Sequence, residues 1–312
     1  MDKISIIVPC YNEEESLPLF YDEILGIAER MKEVSYELLF VNDGSKDNTL
    51  SILKKFSSTN KKVKYISFTR NFGKEAAMLA GLQEASGDYV VIMDADLQHP
   101  VELLPEMYYA LKNENIDCVC AKRIDREGEG KLRNFMTKYF YNIINKISEI
   151  EMIDGAGDYR MMSRQMRDSV ISFKEYNRYS KGLFIFVGFK TKMIPYQNVK
   201  RASGSTKWSF LSLLKYAMNG VISFSTVPLV IASFCGLIFC FLAFVLAAYT
   251  AIKTTIYGNP TSGWTTLVCI ILFIGGMQMF FMGIIGQYIA KIYMEVKHRP
   301  IYIIKETNLE SN

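Results

Sequence analysis

Two carboxylates one residue apart, Asp94 and Asp96, close the apolar run of "VVIMDADLQHP" (90–100). Backbone geometry just past a strand holds such a pair close together. Without a cation the two would repel, and one would take up a proton. Carboxylate oxygens suit a hard or intermediate divalent ion, Mg2+ or Mn2+, commonly completed by substrate phosphate and water. Gln98 can add a carbonyl oxygen to that set, whereas His99, directly before Pro100, reads as structural. A solvated turn is the plain alternative for Asp-x-Asp. Its surroundings favour a metal, because the pair follows a strand that reads as buried.

The elements that must position the pair can be read from the alternation of patterns. "ISIIVPC" (4–10), "YELLFVND" (36–43), "VKYISFT" (63–69), "DYVVIMDAD" (88–96) and "IDCVCAKR" (116–123) read as strands. Between them lie helical patterns: residues 14–33, "KDNTLSILKKFSS", "GKEAAMLAGLQEAS" and "VELLPEMYYALKN". Near-continuous apolar strands alternating with helices predict an α/β fold, a mostly parallel sheet with helices on both faces. In such sheets ligands bind beyond the carboxyl ends of the strands. Those ends carry Pro9-Cys10-Tyr11-Asn12-Glu13, Asn42-Asp43-Gly44-Ser45, Arg70-Asn71-Phe72-Gly73 and Asp94-Ala95-Asp96. Polar, turn-forming residues thus converge on one edge. No Gly-x-Gly-x-x-Gly follows the first strand and no Gly-Lys-Ser/Thr loop is present, so dehydrogenase-type dinucleotide binding and P-loop chemistry are unsupported.

Charge divides the chain. Residues 1–175 hold 23 Lys+Arg against 29 Asp+Glu, while Tyr176–Met294 contains no acid. Arg178, Lys181, Lys190, Lys192, Lys200, Arg201, Lys207 and Lys215 crowd the start of that acid-free run. A basic run leading into apolar sequence points to anionic lipid or a phosphorylated ligand rather than nucleic acid. Residues 216–252 and 254–290 lack any charge, and each contains more than the roughly 20 apolar residues a bilayer span requires. Asn259-Pro260 and Ser262-Gly263 mark the turn between them. Basic residues flank the outer ends, so both termini are expected in the cytoplasm and the short loop outside. The immediate opening on a strand predicts no signal peptide, and hence a cytoplasmic soluble domain at the inner (cell) membrane. The six cysteines show no metal-ligand spacing and read as reduced and inert.

The expected organisation is a cytoplasmic domain over 1–203, an interfacial amphipathic helix over 204–224, and spans over 225–252 and 265–290. A loop over 253–264 separates the spans, and a cytoplasmic tail fills 291–312. Residues 131–150 read as a basic amphipathic helix, packed on the sheet or facing the membrane. Gly275-Gly276, Gly283 and Gly286 would permit close helix contact, so self-association through the spans is an expectation.

Taken in order, "IIVPCYNEEESL", "VNDGSKDNT", "RNFGKEAA", "DADLQHPVE" and "GAGDYRMMSR" resemble glycosyltransferase family 2, with its GT-A fold. The tail, "RASGSTKWSFLSLLKYA", two spans and "GQYIAKIYMEVKHRPIYII", is similar to the polyprenyl-phosphate glycosyltransferases, covering essentially the whole chain. The resemblance implies a nucleotide-sugar site at Pro9, Tyr11, Asn12, Glu13, Asp43, Asp94, Ala95 and Asp96. It implies metal ligation by Asp94, Asp96 and Gln98, and Asp96 and Asp158 as catalytic residues, Asp158 lying near the acceptor. It also implies Arg160 nearby, and Arg201, Ser203, Ser205 and Lys207 in a loop gathering lipid phosphate.

The implied reaction sets its own demands. A departing nucleoside diphosphate builds negative charge that a metal and basic side chains stabilise. A phosphate monoester, with a second pKa of about 6, is largely dianionic at neutral pH and needs little help losing a proton. Asp158 is therefore expected to orient groups rather than to act as an obligatory base. Two anions must also be brought together, a task that Arg126, Lys131, Arg133, Arg160, Arg201 and Lys207 can share. The resemblance implies inverting transfer of one sugar, with UDP-glucose favoured and galactose, N-acetylhexosamine or mannose donors open. A processive synthase is disfavoured because Gln-x-x-Arg-Trp is missing from "QNVKRASGSTKW". A non-catalytic nucleotide-sugar-binding membrane subunit is disfavoured by the intact acids.

Overall fold

Among the described residues eight strands form one sheet, in the order Thr191–Tyr196, Cys118–Arg123, Ala156–Ser163, Tyr89–Ile92, Asp2–Cys10, Val34–Asn42, Val63–Phe68 and Ile304–Thr307. The computed structural model describes residues 1–124, 145, 153, 155–197, 222, 225–257 and 263–309. The first half follows the alternation of the sequence: β1 (Asp2–Cys10), α1 (Ser16–Arg30), β2 (Val34–Asn42), α2 (Thr49–Thr59), β3 (Val63–Phe68), α3 (Lys74–Glu84), β4 (Tyr89–Ile92), α4 (Leu103–Asn113) and β5 (Cys118–Arg123). After these come β6 (Ala156–Ser163), α5 (Arg164–Ser172), α6 (Ser180–Phe186) and β7 (Thr191–Tyr196). The chain ends with two long helices, α7 (Val227–Tyr257) and α8 (Trp264–Val296), and β8 (Ile304–Thr307). Most of the helix expected at 131–150, and most of the interfacial helix expected at 204–224, lie outside the described residues.

The central pairs β4/β1, β1/β2 and β2/β3 are parallel, as is β5/β7. Period-2 alternation sends Ile4, Ile6, Val8 and Cys10 of β1 to one face and Ile7 to the other. The first face packs on α1, α2 and α4, through residues such as Leu17, Phe20, Ile24, Leu53 and Met107. In α1 the buried positions Leu17, Phe20, Ile24 and Ile27 make one helical stripe. The opposite face packs on α3, α5 and α6. Helix α3 lies so close to β1 that a Cβ on Gly81 would stand 2.3 Å from Cγ2 of Ile7. Only glycine permits that approach.

Two features have no counterpart in the alternation pattern. Strand β6 enters antiparallel to both β4 and β5, so its N-terminal end reaches the edge where β1, β2 and β4 finish. Strand β8, beyond the second long helix, returns to pair antiparallel with β3. Tyr302 stacks on Phe68 with centroids 4.9 Å apart, and Asn308 accepts the Tyr65 amide at 2.7 Å. The segment after α8 is thus part of the sheet domain rather than a loose tail.

Both α7 and α8 are long and apolar enough to cross a membrane, over Val227–Thr250 and Ile270–Val296. Their large side chains are mostly exposed: Phe244 is 73% exposed and Leu272 69%. The Tyr288 hydroxyl donates to the Ser225 carbonyl at 2.7 Å, and the rings of Phe239 and Phe273 lie 5.8 Å apart. At the far end of α8 the Glu295 carboxylate accepts the amides of Tyr176, at 3.0 and 3.1 Å, and Asn177, at 3.2 Å. The hairpin is therefore tied to the sheet domain through the first acid after the long acid-free run. Among the cysteines, Cys10, Cys118 and Cys120 are buried and free, whereas Cys240 is exposed on α7.

Candidate active site

The carboxyl ends of β1, β2, β3 and β4 meet at one edge, and their loops lock one another. Asn12, at φ 55°, donates its amide to Ser45 Oγ at 3.0 Å and accepts the Lys46 amide at 2.9 Å. The Glu13 amide donates to Thr49 Oγ1 at 2.9 Å, and the Glu13 carboxylate accepts from Ser16 Oγ at 2.6 Å. Pro9 and Tyr11 are half-buried in the same wall. Asp43 is 3% exposed and accepts the amides of Phe72, at 2.6 Å, and Gly73, at 2.9 Å. Burial pushes its carboxyl above the ordinary value, against the pull of those two amides. Each carboxylate oxygen retains a second lone pair, so this structural duty leaves acceptor capacity. Gly44, at φ +65°, fits against the loop that Asp43 holds, where a Cβ would lie 2.3 Å from the Arg70 carbonyl carbon.

Strand register explains the next encounter. Ile92 faces Arg160 across the antiparallel β4/β6 pair. Two residues further along β4 and two back along β6, Asp94 and Asp158 come together. Lys74, the first residue of α3, bridges them: its Nζ is 2.6 Å from Asp94 Oδ1 and 2.8 Å from Asp158 Oδ2. Burial alone would raise the Asp158 carboxyl; the charges of Lys74 and then Lys181 outweigh it and hold the group well below the usual carboxylate range. For Asp94 the same balance, burial against Lys74, also ends in a lowered pKa. Lys74 in turn is held protonated: burial opposes its charge, but Asp158 and Asp94 more than offset that.

Asp96 lies beside this triad and accepts the backbone amide of Gln98 at 3.2 Å. Ala95 is 2% exposed and packs into the core below, so it can offer only backbone to a ligand. His99 stacks on Tyr159 at 5.0 Å and meets Tyr196 edge-on at 5.9 Å. Burial outweighs the attraction of Asp94 and pushes its pKa down, which fits a neutral packing residue. Among the described residues no cluster of three or more His, Cys, Asp or Glu forms a complete metal cage. The donor set of Asp94, Asp96 and Gln98 is oxygen-only and incomplete, which suits an ion finished by phosphate and water.

Arg160 projects from the same face of β6 as Asp158, two residues on. It is 4% exposed, donates Nη2 to the Gly157 carbonyl at 2.7 Å and lies 4.0 Å over the Phe184 ring. Arg126, Lys131, Arg133, Arg201, Ser203, Ser205 and Lys207 lie outside the described residues.

The structure thus gathers Pro9, Tyr11, Asn12, Glu13, Asp43, Asp94, Asp96, Asp158 and Arg160 at one sheet edge. Sequence reasoning missed Lys74, although it stands directly after the strand-end loop "RNFG". A cation placed immediately after a converging strand end was the available signal. Lys181, whose charge reaches Asp158, was seen only as one member of a basic run.

Comparison with known proteins supplies the family. The pattern of "Glycosyl transferase family 2" matches residues 5–170. The bactoprenol glucosyl transferase of Shigella phage SfV is 41% identical over 303 residues, covering 97% of this chain and 98% of that one. The SfII prophage-derived bactoprenol glucosyl transferase of Shigella flexneri is 40% identical over 306 residues, covering 98% of each chain. The crystal structure of mannosyl-3-phosphoglycerate synthase from Rubrobacter xylanophilus superposes with a TM-score of 0.49 at 16% identity, covering 70% of this chain and 72% of that one. With its sheet domain matched by the family pattern and nearly its whole length aligned to such relatives, the chain belongs to glycosyl transferase family 2.

Proposed function

We propose that this glycosyltransferase moves one glucose from UDP-glucose to a polyprenyl phosphate at the cytoplasmic face of the cell membrane, with inversion at the anomeric carbon. The observation that carries the reading is the pairing of Asp94 with Asp158 through Lys74. It brings the acid beside the donor site to the acid beside the acceptor. Full-length relatives named bactoprenol glucosyl transferase support the sugar and the lipid. Two exposed apolar helices tied to the sheet domain by Glu295 and β8 support action at a membrane, with both helix ends nearest the domain on one side.

In this reading Pro9, Tyr11, Asn12, Glu13 and Asp43 hold base and ribose, and Asp94, Ala95 and Asp96 face the sugar diphosphate. Asp94, Asp96 and Gln98 would hold Mg2+ or Mn2+, which supplies Lewis-acid stabilisation of charge on the departing diphosphate. The acceptor phosphate attacks in line as a dianion. Asp158 does not need to accept a proton, since its pKa lies well below that of the nucleophile. A bare carboxylate there would instead repel the phosphate. Lys74, shared with Asp94, offsets part of that charge and holds Asp158 in place, with a third ammonium hydrogen available to a phosphate oxygen. Arg126, Lys131, Arg133, Arg160, Arg201, Ser203, Ser205 and Lys207 gather the acceptor phosphate. The spans keep the enzyme where a long prenyl chain must stay.

The test uses the full chain in nanodiscs with Mn2+, undecaprenyl phosphate and each nucleotide sugar in turn, with product mass as readout. One hexose per lipid phosphate, from UDP-glucose ahead of other donors, is the expected result. Long saccharide chains, or nucleotide-sugar binding without transfer to any prenyl phosphate, would overturn the reading.

A further inference from the structure

Behind Asp158, strand β6, helix α6 and strand β7 enclose a cavity of about 160 Å3. Its walls are apolar, including Phe184, Ile185, Phe189 and Met193, yet two cations, Arg160 and Lys181, line it as well. Arg160 is the unusual member. It is 4% exposed, its Nε is buried without any hydrogen-bond partner, and among the described residues no carboxylate lies within ion-pair distance of it. A guanidinium held out of water without an ion-pair partner is poorly compensated for its lost solvation. Stacking on Phe184 and one carbonyl bond return only part of that. The charge of Asp158 reaches the guanidinium, yet that carboxylate is already bound by Lys74, so the buried Nε–H of Arg160 is left to serve a further anion.

The missing partner has a definable chemistry. It is an anion, because two cations face it. It carries an apolar part, because the remaining walls are mostly apolar, with Thr191 the one hydroxyl among the described lining residues. It lies next to the reaction centre, because Asp158 is two residues from Arg160 on the same strand face and senses the Lys181 charge. A nucleoside diphosphate fits this cavity poorly: its polar ribose would need hydrogen-bonding walls.

Resting on the transferase reading above, we propose that this cavity is the acceptor-head pocket. Arg160 and Lys181 hold the phosphate monoester there, and Phe184, Ile185, Phe189 and Met193 take the first isoprenoid unit. Lys181 is thereby assigned to acceptor recognition, distinct from the basic loop before the first span. The phosphate enters with its oxygen directed past Asp158, and its charge completes the solvation of the Arg160 guanidinium.

Lys181→Ala, Arg160→Lys and Thr191→Trp, a plug at the cavity wall that leaves both cations intact, test the assignment in the full chain. Initial rates are measured against prenyl phosphate and against UDP-glucose separately, with melting temperature alongside. For Lys181→Ala the half-saturating prenyl phosphate should rise about tenfold or more, with the UDP-glucose value unchanged within about twofold and the melting temperature retained. Inorganic phosphate should compete with prenyl phosphate in the native chain and lose that effect in Lys181→Ala. Thr191→Trp should weaken prenyl phosphate while leaving inhibition by inorganic phosphate intact, which separates the tail from the head. Should Arg160 serve only to pack on Phe184, Arg160→Lys would lower the melting temperature and Lys181→Ala would behave as native; that pair of results overturns the proposal. A rise confined to the UDP-glucose value overturns it too, by assigning the cavity to the donor. In both cases native transfer to prenyl phosphate still stands as the control, whereas a native chain that transfers nothing removes the underlying reading and this one with it.

Discussion

Replacing Lys74 by Met keeps much of the side-chain volume and removes the ammonium that joins Asp94 to Asp158. The two contacts, 2.6 and 2.8 Å, are not equal in worth. The Asp94 side chain is 30% exposed and Lys74 41%, so solvent screens much of that pair. Asp158 is only 15% exposed, and a charge-assisted hydrogen bond there is worth about 2–3 kcal/mol. If it is needed in the transition state, kcat/KM for the acceptor falls about 30- to 150-fold. The pH profile moves as well. In the native chain the lowered pKa values keep both acids ionised across the working range. Without Lys74, burial and mutual repulsion raise both carboxyls, so the variant should lose activity toward the acid end of the range where the native chain does not. Lys74→Arg, which restores charge on a different frame, should recover part of the rate. Adding Asp158→Asn to Lys74→Met removes the uncompensated charge, so the double variant should fall short of the product of the two single losses. Radiolabelled transfer in nanodiscs across pH 5–8 measures all of this. A Lys74→Met enzyme within about threefold of native, with no added loss toward the acid end, would refute the reasoning.

Three further outcomes follow from the same geometry. Asp96→Ala should lower transfer by about a thousandfold or more with the circular dichroism spectrum and membrane insertion intact, and near-normal turnover would sink the metal assignment. Glu37, 3% exposed, is ionised despite burial because Lys3, Ser5 and Ser86 bind it, so its pKa falls from 4.5 to about 2. A lowered carboxylate contributes stability that is present above its unfolded pKa and lost as pH falls through the folded one. Native stability should therefore decline between pH 4.5 and about 2 by up to about 3 kcal/mol, and Glu37→Gln should flatten that segment of the titration. Glu295→Ala should free the Tyr176 and Asn177 amides, raising their hydrogen exchange about 10- to 100-fold; unchanged protection would show that helix α8 does not hold this loop.

Legibility in the sequence follows the range of the interaction involved. The parallel half of the sheet rests on local patterns, strand runs separated by amphipathic helices, and residues 4–123 showed them. Converging strand ends then led to Asp43, Asp94 and Asp96 without any contact being known. Strand β6 was different: nothing in "GAGDYRMMSR" announces that it runs antiparallel between β4 and β5. Asp158 therefore entered through family resemblance alone, although register makes its meeting with Asp94 unavoidable once β6 is placed. Strand β8 was hidden for a similar reason. It is four residues long, follows the long helix α8 and pairs with a strand more than two hundred positions earlier. Lys74 and Lys181 escaped because a lysine in a list of lysines has no signature; only its neighbours distinguish a bridging cation from a solvated one.

The arrangement of charge argues for how the chain solves its central electrostatic difficulty. In the proposed reading donor and acceptor both carry phosphate, and the sheet edge that would receive them carries Asp43, Asp94, Asp96 and Asp158. Left bare, those acids would repel both substrates. The structure treats them differently according to place. Asp43 is turned inward and spent on two backbone amides, where it shapes a loop. Asp158, assigned above to the acceptor side, is paired with Lys74 and backed by the charges of Lys181 and Arg160. Asp96 takes no part in the Lys74 bridge and is assigned above to the donor, where a divalent ion shared with a diphosphate would add charge instead of repelling it. Positive charge is thus fixed in protein side chains on the side of the nucleophile and arrives with the substrate on the side of the leaving group. A site divided in this way loses acceptor selectivity when Lys74 or Lys181 is removed and loses donor activation when Asp96 is removed. The two classes of variant should therefore separate cleanly in their effects on the two half-saturation constants.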